Sequence, residues 1–173
     1  MLKKFLPDIY SESIFTINYK KLKEKGIKCI LIDLDNTISP AKEVVFYKEV
    51  KELINKLKKD FKVIIFSNNF PKRVSKFGDH YDVDIACLSL KPLLYKYIHI
   101  ARKYKFKRRE IAAIGDQLMT DIIGANKVGF TSILVHPMTD IDETETWLNR
   151  QLEKMILKRF NKKDWLKKGR FYD

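Results

Sequence analysis

Asp33 and Asp35 stand two residues apart in Asp33-Leu34-Asp35-Asn36-Thr37, directly after the unbroken apolar run Cys29-Ile30-Leu31-Ile32. Such a run reads as a buried strand, so both carboxylates emerge where a core strand ends. That is where open parallel sheets bind ligands. Burying one carboxylate is expensive, and two together are worse unless a cation or a proton intervenes. The pair therefore points to a divalent metal and to chemistry. A strand-end turn with a helix cap accounts for the five residues equally well, since Asp, Asn and Thr favour such places. Three further runs add to the pair. Lys62-Val63-Ile64-Ile65-Phe66 ends in Ser67-Asn68-Asn69, and Ile111-Ala112-Ala113-Ile114 ends in Gly115-Asp116, with Asp121 five residues on. Lys91-Pro92 follows the apolar segment Val83 to Leu90. A parallel sheet would gather these ends on one edge, as a carboxylate, a hydroxyl, an ammonium and a further acid pair.

The elements that must position them follow from periodicity. Apolar runs alternate with amphipathic helical patterns, which predicts an α/β fold with a parallel sheet flanked by helices. Strands are expected at about 28–33, 62–66, 84–88, 111–115 and 131–135, and helices at about 47–59, 71–78, 92–104, 120–127 and 143–160. Gly129 is placed to end the helix that begins near Thr120. No internal repeat or low-complexity linker interrupts the pattern, and 173 residues make one domain with a sizeable core. The catalytic core is read as about 27–138, with basic extensions over 1–26 and 143–173.

The chain resembles the haloacid dehalogenase (HAD) superfamily of phosphohydrolases. Asp33 to Thr37 matches its DxDxT motif, Ser67 its second-motif Ser/Thr, Lys91 its third-motif lysine, and Gly115-Asp116 with Asp121 its fourth motif. Within the superfamily it is similar to the class IIIA, YqeG-like phosphatases, whose eukaryotic relatives are phosphatidylglycerophosphatases. Phe5-Leu6-Pro7, Ile27 to Thr37, Phe66 to Asn69, Lys91-Pro92 and Gly115 to Asp121 carry that likeness. Ile38-Ser39-Pro40, beside the entrance, departs from the expected Leu-Val followed by an aromatic-acidic pair.

The resemblance implies a HAD-like Rossmannoid fold and hydrolysis through an aspartyl-phosphate. Asp33 is then the nucleophile and Asp35 the general acid, later the base. Ser67 and Asn68 hold phosphate oxygens, and Lys91 neutralises charge on the phosphoryl group and on Asp33. Mg²⁺ is implied, on Asp33, the backbone carbonyl of Asp35, and Asp116. Asp121, Thr37 and Asn69 support the site, with Asp121 orienting Asp116, a metal water or Lys91. Asn68, Asn69, Gln117 and Thr120 line the same edge. Only 31 residues separate Asp35 from Ser67 and 23 separate Ser67 from Lys91, too few for the cap domains of larger members. The site should be capless and open, which suits a bulky or surface-bound phosphate ester.

Composition narrows the setting. Cys29 and Cys87 lie in apolar runs without metal-ligand spacing, and His80, His99 and His136 are scattered, so no zinc site is expected. The first residues lack the apolar core of a signal peptide, and no stretch approaches the ~20 apolar residues of a membrane span. The expectation is a cytoplasmic protein, either in solution or peripheral on the inner face of a membrane. The net charge of +13 sits at the ends: residues 29–149 carry 19 Lys+Arg against 16 Asp+Glu, residues 150–173 carry 9 against 3, and residues 1–28 carry 7 against 3. Such ends attract anionic lipid or nucleic acid.

The C-terminal segment reads as a basic amphipathic helix, with Leu148, Leu152, Met155, Ile156 and Phe160 on one face and Arg150, Lys154, Lys158 and Lys162 beside it. It either docks on the domain or lies on a membrane, with Trp147, Trp165, Phe171 and Tyr172 as anchors. The leading expectation is dephosphorylation of phosphatidylglycerophosphate at the membrane surface. The alternatives are a phosphatase of a nucleic-acid end or a soluble metabolite, and a non-catalytic nucleic-acid- or ribosome-associated binding protein.

Overall fold

A computed structural model describes residues 2–41, 43–139 and 147–171. Seven strands form one sheet in the order β4-β3-β2-β5-β6-β1-β7. They are β1 (Ile9–Ser11), β2 (Cys29–Ile32), β3 (Lys62–Phe66), β4 (Asp84–Ala86), β5 (Ile111–Gly115), β6 (Thr131–Val135) and β7 (Arg170–Phe171). Neighbours run parallel except β1 and β7, which are antiparallel. The central register is level, because Ile32 of β2 lies opposite both Ile65 of β3 and Ile114 of β5. Residues just past those three positions therefore arrive side by side.

Both faces of the sheet are covered, which is why its central strands are continuous apolar runs and do not alternate. Ile30, Ile32, Val63, Ile65, Ala112 and Ile114 point to one side. There they pack on α2 (Lys48–Leu57) and α3 (Pro71–Tyr81), through residues such as Ile54, Val74 and Phe77. Cys29, Leu31, Ile64, Phe66, Ile111 and Ala113 point to the other. They meet α4 (Leu94–Lys103) and α5 (Ile123–Val128) through Tyr97, Ile100, Ala125 and Val128. The segments joining β2 to β3 and β3 to β4 hold one α-helix each among the described residues, so no cap domain lies over the carboxyl ends of these strands.

Several elements differ from the expected bounds. The strand expected to reach residue 88 stops at Ala86, since Leu88 adopts the left-handed conformation with φ 48° and turns the chain away. The helix expected from Thr120 begins as a π-helical turn, Leu118–Ile122, and continues as α5. It stops where expected, at Gly129, whose φ of 83° suits a residue without a Cβ. The segment ahead of Ile27 contributes β1 and α1 (Tyr19–Glu24), with Leu22 buried in the core. Three residues are too few to show strand periodicity, and pairing with β6 is what makes β1 a strand.

The last helix, α6, spans Trp147–Lys162, and residues 143–146 of the expected helix lie outside the described residues. It docks on the body rather than standing apart. Ile156 and Leu157 pack on Leu118, Ile122 and Leu134, and Phe160 is fully buried. Its inner face is rotated from the expected one, because Glu153 is buried and accepts a hydrogen bond from the Met119 amide at 3.0 Å. That bond satisfies an amide at the start of the π-helical turn and leaves Leu152 and Met155 exposed. Lys154, Lys158 and Lys162 face water, as expected. The side chains of Trp147, Leu148, Arg150, Phe171 and Tyr172 lie outside the described residues. No helix of the described residues is long and apolar enough to cross a membrane.

Candidate active site

The level register converts sequence spacing into a site. β2 delivers Asp33 and Asp35, β3 delivers Ser67, the loop after β4 delivers Lys91, β5 delivers Asp116, and the π-helical turn delivers Asp121. Asp33, Lys91, Asp116 and Asp121 are all buried. The Lys91 ammonium bridges two carboxylates, at 2.5 Å from Asp33 Oδ1 and 2.6 Å from Asp121 Oδ1, and lies 5.5 Å from the centre of the Phe66 ring. Asp121 Oδ2 accepts from the Gln117 amide, so both of its oxygens are engaged. Asp121 thus orients Lys91. The close approach needs Gly115, since a Cβ there would lie 2.2 Å from Asp121 Cγ.

One carboxylate oxygen from each of Asp33, Asp116 and Asp121 lies within 4.8 Å of the others. One ammonium thus serves two buried carboxylates, with a third, Asp116, beside them. Burial pushes the Asp33 carboxyl well above the ordinary carboxylate range; Lys91 opposes this, and Asp121, Asp116 and Asp35 reinforce it. Burial also pushes the Lys91 ammonium down, but Asp121 and Asp33 outweigh that and hold it above its usual range. Each ion favours the charge of the other. An all-oxygen donor set of clustered buried carboxylates fits a hard divalent cation such as Mg²⁺.

Asp35 sits in a different environment. Its Oδ1 accepts two hydrogen bonds from the Arg73 guanidinium, at 2.8 and 3.2 Å. Its Oδ2 accepts from Asn69 Nδ2 at 2.5 Å and, at 3.4 Å, from Ser67 Oγ. Arg73 also donates to the Pro40 carbonyl, which ties α3 to the loop after Asp35. Sequence reasoning missed Arg73. The available signal was a Lys72-Arg73 pair in the first turn of a helix, where the helix dipole disfavours cations. It also missed Tyr97, whose hydroxyl donates to the Thr120 and Asp121 carbonyls at 3.3 and 3.4 Å.

The remaining expected residues fall into place around this pair of environments. Ser67 Oγ accepts from the Asn69 amide and does not cap α3, whose N-cap is Phe70. The side chain of Asn68 bonds the Lys91 loop. Its Oδ1 accepts from Ser89 Oγ and the Lys91 amide, and its Nδ2 donates to the Lys91 carbonyl. The reason is local: the loop's polar backbone is buried beside β3 and needs a partner. Asn69 donates to Asp35. Thr37 is buried, with its amide donating to the Leu34 carbonyl. Gln117 and Thr120 bond each other at 3.2 Å. In the departing stretch, Ile38 and Ser39 are wholly buried and Ser39 Oγ donates to the Glu43 carbonyl, so two of its three residues serve packing.

Comparisons with known proteins agree with this geometry. The family model described as haloacid dehalogenase-like hydrolase matches residues 4–129. The chain is 36 % identical over 171 residues to the probable phosphatase YqeG of Bacillus subtilis, covering 94 % of this chain and 96 % of that one. It is 26 % identical over 178 residues to phosphatidylglycerophosphate phosphatase 1, chloroplastic/mitochondrial, of Arabidopsis thaliana, covering 95 % of this chain and 49 % of that protein. Among solved structures, D,D-heptose 1,7-bisphosphate phosphatase from B. bronchiseptica, complexed with magnesium and phosphate, superposes with a TM-score of 0.55 at 20 % identity. The match covers 75 % of this chain and 99 % of that one. The cobalt-bound deoxy-D-mannose-octulosonate 8-phosphate phosphatase from Haemophilus influenzae gives 0.54 at 14 % identity, covering 81 % and 92 %.

Proposed function

Because the chain belongs to the haloacid dehalogenase-like hydrolase family and is a phosphatase of it, we propose a reaction through an aspartyl-phosphate on Asp33. We propose Mg²⁺ as its cofactor and phosphatidylglycerophosphate, at a membrane surface, as its substrate. The observation that carries the chemistry is the buried carboxylate cluster of Asp33, Asp116 and Asp121 beside an Asp35 fixed by Arg73. Asp33 and Asp116, with the backbone carbonyl of Asp35, would hold Mg²⁺, which supplies charge neutralisation at the phosphoryl oxygens.

The protein's own residues do the rest. An Asp33 carboxylate oxygen bonds to phosphorus as the bond from phosphorus to the leaving oxygen breaks. Asp35 hands its proton to that oxygen and releases the alcohol. In the second half a water oxygen bonds to phosphorus, Asp35 takes the proton of that water, and the Asp33–phosphorus bond breaks to release phosphate. Arg73 and Asn69 keep the Asp35 carboxyl in one orientation for both steps. Lys91, pinned by Asp121, faces the growing negative charge at Asp33 and the phosphoryl group.

The lipid substrate is supported by the similarity to the plant phosphatidylglycerophosphate phosphatase along 95 % of this chain and by the lack, among the described residues, of a cap domain between β2 and β4. The test is phosphate release from phosphatidylglycerophosphate in mixed micelles, a phosphorylated oligonucleotide, sugar phosphates and p-nitrophenyl phosphate. Each is run with Mg²⁺, with EDTA and with Asp33→Asn. Mg²⁺-dependent release from the lipid well above the other natural esters, lost in Asp33→Asn, is expected. Preference for an oligonucleotide or a sugar phosphate would discard the lipid and keep the chemistry. Retained activity in Asp33→Asn would discard the aspartyl-phosphate.

A further inference from the structure

Among the described residues, five exposed large apolar side chains gather beside the active site. Phe70 is 71 % exposed, Leu90 61 %, Leu93 61 % and Tyr95 73 %, with Leu88 beside them. All five lie in the loops leaving β3 and β4 or in the first turn of α4, the same loops that deliver Ser67 and Lys91 to the active site. Phe15, after β1, and Met138, after β6, are exposed on the same edge. Among the described residues, none of the loops entering β2 to β6 carries an exposed large apolar side chain. That opposite edge instead holds a groove of about 800 Å³ lined by Lys3, Lys4, Lys25, Arg109 and Lys127.

Local physics does not favour these residues where they are. Phe70 and Leu93 are the N-caps of α3 and α4, and neither makes a side-chain cap bond. Ser, Thr, Asp or Asn at an N-cap is more stable. Leu88 and Leu90 hold left-handed backbone, with φ of 48° and 53°, which leucine rarely adopts. Four exposed apolar residues thus occupy positions that helix capping and backbone preference would give to polar residues or glycine. Sites where local rules are broken in this way are expected to be functional.

We propose that this edge docks on the surface of an anionic lipid bilayer, with Phe70, Leu88, Leu90, Leu93 and Tyr95 entering the headgroup–acyl boundary and the active site facing the lipid. The proposal rests on the lipid-phosphatase reading above and adds the surface that delivers the substrate. A bilayer fits this edge better than a protein does. Leu90 and Leu93 flank the catalytic Lys91, so a protein partner seated on them would cover the site, whereas a membrane supplies substrate through it. Lys72 stands exposed two residues from Phe70, and Lys154 and Lys158 are exposed on α6, which is anchored to the same edge through Glu153. Apolar insertion with neighbouring cations is how peripheral proteins recognise anionic membranes. The basic N-terminal end lies along the far groove and plays no part in this contact.

The test is flotation with substrate-free vesicles of phosphatidylcholine, with and without phosphatidylglycerol, comparing wild type with Phe70→Asp/Leu93→Asp. Aspartate is a favoured N-cap residue, so both substitutions suit their helices and the fold should be kept. The wild type is expected to float with the anionic vesicles. The variant should bind about tenfold or more weakly, with a retained melting temperature and retained turnover of soluble p-nitrophenyl phosphate. Equal flotation of variant and wild type would overturn the proposal, as would a wild type that ignores anionic vesicles. A wild-type dimer that the variant converts to monomer would overturn it in favour of self-association. Because the vesicles contain no substrate, failure here is separate from failure of the lipid to be hydrolysed in micelles.

Discussion

Replacing Lys91 with Met tests how far its ammonium offsets the buried carboxylates it bridges. The substitution keeps the length of the side chain and removes the ammonium that lies 2.5 Å from Asp33 and 2.6 Å from Asp121. Asp33 and Asp121 then lose the ammonium they share. Removing one partner of a buried ion pair costs about 3–5 kcal/mol. Protonation sets the ceiling. Returning a proton to one carboxyl with an unfolded pKa near 3.9 costs about 1.4 kcal/mol per pH unit, or about 5 kcal/mol at pH 7.5 and about 2 kcal/mol at pH 5.5.

The sign follows from Asp33, whose folded pKa is raised by burial and by Asp121, Asp116 and Asp35, with Lys91 as the opposing influence. A group with a raised folded pKa contributes stability that is fully present below its unfolded value and lost as pH rises through the folded one. The deficit of the variant should therefore grow as pH rises from 5.5 to 8. In EDTA at pH 7.5, urea titration should show a loss of about 3–5 kcal/mol. Thermal scans should show a fall of roughly 6–20 °C, at about 2–4 °C per kcal/mol for a chain of this size. Millimolar Mg²⁺ should restore more of the variant's stability than of the wild type's, because the site has become more negative. A deficit under about 1 kcal/mol in EDTA, or one that does not change with pH, would refute the offsetting role of Lys91.

Three further substitutions or probes bear on other parts of the site. Arg73→Ala should lower kcat on p-nitrophenyl phosphate by about 10–100-fold with little change in KM, since it frees the Asp35 carboxyl from its bidentate partner; Arg73→Lys should recover only part, because an ammonium cannot make both bonds. Gly115→Ala should cost about 1–3 kcal/mol and most of the activity, as its Cβ would displace Asp121 and with it Lys91. A thiol reagent at pH 8 should label Cys87 in the native protein and reach Cys29 only after denaturation, because burial pushes the Cys29 thiol up to about 12; fast labelling of both would contradict the buried position of β2.

The chemistry of this chain is legible in its sequence because a parallel sheet turns order into place. Each of Asp33, Ser67 and Asp116 directly follows or nearly follows an apolar run, and level strands bring such positions together whatever the details of packing. The helix stop at Gly129 and the three-layer arrangement were legible for the same reason, since they depend on residue type and period alone. What the tertiary structure decided are contacts between segments distant in the chain. Arg73 reaches Asp35 across 38 positions, Asn68 turns to the Lys91 loop, and Asp121 binds Lys91 with both oxygens engaged. The three-residue strand β1 exists only through its pairing with β6, and α6 presents Glu153 inward because one amide of the π-helical turn needs an acceptor. Periodicity reports which residues share a face, but only packing decides how far a helix is rolled and which polar group answers which buried charge.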